Sequence, residues 1–148
     1  MSCNLAGPVA ALAAFASLSA CVHTPQAAPT SELTTALAYV EAYNARDLEA
    51  MLKLMHEDVQ WLSISGAKVE VFANGKADLT AQMREYMASP MATRSEIDGD
   101  VTDGRFVAVR EIARWTDKDG AERSQSALAV YEFEDDLVRR VWYYPASK

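Results

Sequence analysis

Cysteine is nearly absent. The 148 residues contain two, Cys3 and Cys21, and none follows. A disulfide framework inside a folded body is thereby excluded, even in an oxidising compartment. The two histidines, His23 and His56, lie far apart, and no body cysteine completes a ligand set, so no metal site and no cofactor are expected. Basic runs are also missing. Fourteen Lys and Arg face 21 Asp and Glu, for a formal net charge of −7. Phosphate backbones are held by clustered Lys and Arg, so a nucleic-acid partner is excluded. No glycine-rich phosphate loop, HExxH or GxSxG occurs, which removes the corresponding nucleotide, zinc-protease and serine-hydrolase readings. Finally, no Asp, Glu, Lys or Arg precedes Glu32.

What stands before Glu32 is a leader and a tether. Residues 1–21, "MSCNLAGPVAALAAFASLSAC", are small and apolar, and too short for a comfortable membrane span with flanks. They end in Leu18-Ser19-Ala20-Cys21. This resembles the bacterial lipoprotein signal, in which the leader is cut before a cysteine that carries the lipid. The basic start usual in secretory leaders is lacking. Two readings follow: lipidation at Cys21, or plain cleavage nearby at small residues. Both place the product outside the cytoplasm, anchored on the periplasmic or extracellular side of a membrane or free in the periplasm. Membrane contact runs only through the lipid. Residues 22–31, rich in Pro, Ala and Thr, read as a flexible tether.

Residues 32–146 read as one domain, a length that suits a single core. Ser31 is placed to cap a first helix carrying Leu33, Leu37 and Val40, with Ala36, Tyr39 and Tyr43 widening its apolar face. Asp47 caps a second. Leu48, Met51, Leu52 and Met55 recur at i, i+3, i+4 and i+7. His56-Glu57-Asp58 then breaks the helix. His56 suits a helix end, where an imidazolium favours the dipole, and a catalytic role is the competing reading. Val59 to Ile64 and Lys68 to Phe72 read as strands. A third helix carries Leu79, Met83, Tyr86 and Met87 on one side and stops at Ser89-Pro90. Beyond it, β-branched and aromatic residues between turn signals predict four antiparallel strands. Helices first and a meander last imply an α+β fold: a cone-shaped, curved antiparallel sheet packed against three helices. The mouth of such a cone can hold a small ligand.

The stretches "YVEAYNARDLEAMLKLMHEDVQW" and "LAVYEFEDDLVRRVWYYP" resemble the nuclear-transport-factor-2-like superfamily, most of all its SnoaL-like members, over Glu32 to Pro145. That superfamily mixes isomerases, cyclases, hydrolases, dehydratases and non-catalytic binding proteins, so the likeness implies a fold and not a reaction. Ketosteroid isomerases within it use an Asp base and a Tyr/Asp oxyanion hole. The resemblance puts the tyrosine at Tyr39. At the two Asp positions stand Ser63 and Ala129, and a serine without a base cannot take a proton from carbon at neutral pH.

Another acid stands in "RFVAVREIARW". Val107, Val109, Glu111, Ala113 and Trp115 share a face with a single charge, and Phe106, Ala108, Arg110, Ile112 and Arg114 share one with two. The first face is expected inward. Glu111 is then a carboxyl inside an apolar cone, with a pKa that burial raises. It either pairs with an inward Arg140, orients a ligand or acts with Tyr39 in catalysis; an outward Glu111 would do none of these. Alternation leaves the face of "LVRRVWYY" open. The resemblance implies that Arg140, Trp142 and Tyr144 point inward. Tyr39, Tyr43, Trp61, Ser63, Trp115, Tyr131 and Trp142 are candidate cavity residues, and the tryptophans and Tyr131 serve equally as core.

Three functions are compatible with these residues. The first is an exported binding domain for a small apolar or carbonyl-bearing molecule. The second is an isomerase-, cyclase- or hydrolase-type enzyme using Glu111 and Tyr39. The third is a homodimeric interaction module with Phe106 and Ile112 on an outer sheet face.

Overall fold

The computed structural model describes residues 28–89 and 93–144. The leader, Cys21 and most of the tether lie outside the described residues.

Three helices and six strands follow one another. Helix α1 spans Ser31–Ala45 and α2 spans Leu48–Lys53. Strands β1 (Met55–Ser65) and β2 (Lys68–Asn74) lead to α3 (Lys76–Ala88). Then come β3 (Arg94–Asp103), β4 (Phe106–Thr116), β5 (Glu122–Glu134) and β6 (Leu137–Tyr144). The sheet order is β2-β1-β6-β5-β4-β3. The sheet is curved and unclosed, and it carries the helices, as expected for the cone. It is not wholly antiparallel: β1 runs parallel to β6. That pair joins the opening strand to the last one and requires the whole chain between them as crossover.

Capping chemistry sets the helix ends. Thr30, not Ser31, caps α1, its hydroxyl accepting from Leu33 N at 3.2 Å. Asp47 caps α2 as expected, accepting from Ala50 N at 2.9 Å. Between them Arg46 adopts a left-handed backbone, φ 57°, which turns the chain sharply into α2. Helix α2 stops at Lys53, earlier than its periodicity implies. Met55 and His56 open β1 instead, so His56 caps no helix; its Nδ1 accepts from Asp58 N at 3.1 Å. The cause is long-range: Val138 N donates to Leu54 O at 2.9 Å and Met55 pairs with Val138. A lone six-residue helix is too short to resist that competition.

The core lies between the helices and the inner sheet face. Ala36, Tyr39 and Val40 of α1, Met51 of α2, and Leu79 and Met83 of α3 meet Val107, Val109, Ala129, Tyr131 and Val141. Full burial of each large member is worth about 1.5–3 kcal/mol. One irregularity decides which side chains reach this space. Phe133 pairs with Val138 but Glu132 pairs with Arg140, so Arg139 is an extra residue in β6. Such a bulge reverses the alternation beyond it. Val138, Val141 and Tyr143 therefore share the inner side. Arg140, Trp142 and Tyr144 take the outer one, opposite to the expectation drawn from the resemblance.

Candidate functional site

The inner face of β4 carries Val107, Val109, Glu111, Ala113 and Trp115 in sequence. The first two are fully buried. Glu111 stands at the end of that buried run, where the core gives way to a cavity of about 690 Å³. Helix α1 supplies Tyr39 and Tyr43, one turn apart, β1 supplies Trp61, and β6 supplies Tyr143. A second hollow of about 420 Å³, lined by Trp115, Gln125 and Ser126, adjoins the first at Glu111 and Tyr143. The ring edges and faces interlock. Tyr39 meets Trp61 at 6.2 Å and 82°, and Tyr131 at 5.9 Å and 62°. Trp61 meets Tyr143 at 5.9 Å and 72°.

Glu111 has no cation beside it among the described residues. Tyr131 donates to its Oε2 at 3.4 Å. Burial raises its pKa, and hydroxyls of Ser95, Tyr131 and Tyr143 work against that rise by favouring the ionised form. Burial likewise pushes Tyr39, Tyr131 and Tyr143 well above the usual phenol value, with the Glu111 charge adding to it. These phenols stay protonated as donors. Ser95 is held in place by α1: Asn44 Nδ2 donates to Ser95 O at 2.7 Å, and Ser95 N donates to Asn44 Oδ1 at 2.8 Å. The Trp61 indole N–H is enclosed without an acceptor among the described residues.

Arg140 does not meet Glu111. It lies on the outer face, donating to Glu132 Oε2 at 2.7 Å and to Gln60 Oε1 at 2.9 Å. Glu132, itself buried, also accepts from Arg105 at 3.1 Å. Trp142 is likewise outside, opposite Val130 and beside Leu62. Ser63 pairs with Tyr143 in register but is not among the cavity walls. Tyr131 is fully buried beneath them. The structure thus brings together Tyr39, Tyr43, Trp61 and Glu111, with Trp115 in the adjoining hollow. Tyr143, Thr93 and Tyr86 are among the wall residues that escaped the sequence reading. Tyr143 was hidden by the bulge. Thr93 follows a proline segment without periodic signal. Tyr86 was read only as the apolar side of α3, yet its hydroxyl lies 3.1 Å from that of Tyr43 and 3.0 Å from Thr93 Oγ1.

An apolar cavity with the Glu111 carboxyl and several phenols at its base can hold a small molecule by ring contacts and meet one polar group. The carboxyl can also exchange a proton, because its environment raises its pKa.

Solved structures share this fold. An uncharacterized cystatin-fold protein from Novosphingobium aromaticivorans is 27% identical, with a TM-score of 0.66 over 78% of this chain and 98% of that one. An NTF2-like protein from Burkholderia pseudomallei is 20% identical, with a TM-score of 0.67 over 80% and 92%. An LEH-like epoxide hydrolase from M. tuberculosis is 14% identical, with a TM-score of 0.66 over 78% and 83%. No curated protein matches the chain in sequence. The SnoaL-like domain family matches residues 36–141, a span that holds the wall residues described above except Tyr143, and the chain belongs to that family.

Proposed function

We propose that this domain binds a small, largely apolar molecule in its cone, with Glu111 meeting the one polar group of the ligand. The observation that carries the reading is the cavity of about 690 Å³ with aromatic walls and a half-buried carboxyl that no Lys or Arg neutralises among the described residues. A carboxyl left without a counter-charge costs stability, and a site that serves a ligand is a physical reason to keep one. A neutral, environment-sensitive dye such as Nile red tests it. Saturable one-to-one binding is expected, and Ala113→Phe, which fills the space beside Glu111, should abolish it while leaving circular dichroism unchanged. Equal binding by parent and variant would refute a cone site.

The same carboxyl favours a second reading, an enzyme using Glu111 as general acid or base with Tyr39 orienting the substrate. A similarly folded protein is an epoxide hydrolase. Turnover of an epoxide or enolisable ketone, abolished by Glu111→Gln with binding kept, supports it; an inert parent across such a panel leaves binding alone.

The sequence supports an address as well. The domain is exported and anchored by lipid at Cys21; Cys21→Ala should free it from membranes, and unchanged fractionation would refute the anchor. The outer sheet face supports a homodimer. Phe106, Leu128 and Tyr144 are exposed there beside Ile112, and apolar rows of this kind mark protein contacts. A monomeric mass in concentrated solution would exclude it.

A further inference from the structure

We infer that the cone selects an organic cation, an ammonium group with apolar substituents, seated among Tyr39, Tyr43, Trp61, Tyr86 and Tyr143 with Glu111 as its counter-charge. This rests on the ligand-binding reading and names the class of ligand. Three observations converge on it.

The first is the walls. Aromatic faces attract cations within about 6 Å through their quadrupole. Here five rings surround one space in differing orientations. Trp61 meets Tyr39 and Tyr143 nearly perpendicularly, and the stacked pair Tyr43 and Tyr86, 6.2 Å apart at 19°, forms another bank. Rings set at such angles offer faces from several sides, which suits a near-spherical ammonium better than a flat neutral ring.

The second is charge. Glu111 and Glu85 line the cavity, and among the described residues no Lys, Arg or His does. Arg46 on the α1 side turns Nη1 to Met87 O at 2.8 Å, and Arg140 is spent on Glu132 across the sheet. An anionic ligand would meet carboxylates without compensation. A neutral one would leave the Glu111 charge unmatched among apolar walls. A cation supplies what is missing.

The third is hydrogen-bond polarity. The Tyr131 hydroxyl donates to Glu111 Oε2, and the two carboxyl oxygens keep acceptor sites beyond that one bond. The donor at the cavity wall that lacks a partner, Trp61 N–H, is enclosed. The base of the cone therefore presents acceptor capacity, which an N–H or a cation satisfies and a carbonyl does not. The volume accommodates an ammonium bearing a ring-sized substituent.

Equilibrium dialysis of the full chain against three shape-matched probes tests this. They are benzyltrimethylammonium, its uncharged carbon isostere neopentylbenzene, and the anion phenylacetate. The cation should be retained about tenfold more tightly than the isostere, and the anion not at all. Glu111→Gln should weaken the cation about tenfold and leave neopentylbenzene within about twofold. Tyr86→Leu, at the accessible rim, should weaken the cation about threefold and keeps the test open if the first variant fails to fold. Retention of the isostere or the anion as tightly as the cation overturns the inference and leaves the binding reading standing. Cation binding indifferent to both variants also overturns it. No retention of any probe removes the inference together with the binding reading.

Discussion

A buried and a half-buried glutamate on opposite faces of one sheet, Glu132 and Glu111, should respond oppositely to the same substitution. Glu132 has a side chain 7% exposed and holds Arg140 at 2.7 Å and Arg105 at 3.1 Å. Glu132→Gln keeps the volume but removes the charge from both contacts. Breaking a fully buried pair costs about 3–5 kcal/mol. Here the arginine side chains are 34% and 66% exposed, so water takes over part of their solvation. The expected loss is nearer 2–3 kcal/mol, about that of charge-assisted hydrogen bonds. In a domain of this size that lowers Tm by roughly 10 °C. Glu111 is the reverse case. Its folded pKa lies above the ordinary 4.5 because burial disfavours the ionised form. The native state therefore holds its proton to higher pH than the unfolded chain does. Stability falls as pH rises from the ordinary value through the raised one, and the deficit is complete above it. Glu111→Gln should accordingly match the parent in stability in acid and exceed it at neutral pH. Urea unfolding followed by circular dichroism at pH 4 and pH 7 reads both variants. A Glu132→Gln variant within about 0.5 kcal/mol of the parent would refute the outer ion pair, and a Glu111→Gln variant that loses stability at pH 7 as Glu132→Gln does would refute the unpaired inner carboxyl.

Three further substitutions probe how the site is held. Asn44→Ala removes both hydrogen bonds to the Ser95 backbone and should cost about 1–3 kcal/mol in urea unfolding, because two backbone groups lose their partners. Asp47→Ala removes the α2 cap and should cost about 1 kcal/mol; no change in the melt would mean that tertiary contacts alone hold that helix. Gly75 has φ +95° and ψ 155° at the start of α3, while its N–H donates to Val59 O at 2.7 Å. Gly75→Ala should cost about 1–3 kcal/mol through backbone strain, since a Cβ there meets only Glu57 O at 3.8 Å, and calorimetry would check it.

Local signals determined a good deal by themselves. Periodicity and capping residues placed three helices. Turn pairs such as Asp135-Asp136, both with positive φ, placed the hairpins that primed turns require. One charge against two on the faces of a single strand turned Glu111 inward. Each of these depends on neighbours a few residues apart, and such information is written in sequence order. Three matters were decided only in three dimensions. Met55 left its helical period for a strand because a parallel partner more than 80 residues later, Val138, offered a ladder. Arg139 entered β6 as a bulge because Val138 and Val141 both had to reach the core. That single added residue carried Arg140 and Trp142 away from the cavity and put Tyr143 into it. Glu111 then lost its expected partner to a second carboxylate on the far face. Alternation is a rule of period two, and it holds only until the sheet inserts a residue. The packing of distant apolar side chains decides where that happens, so the composition of the site belonged to the tertiary structure.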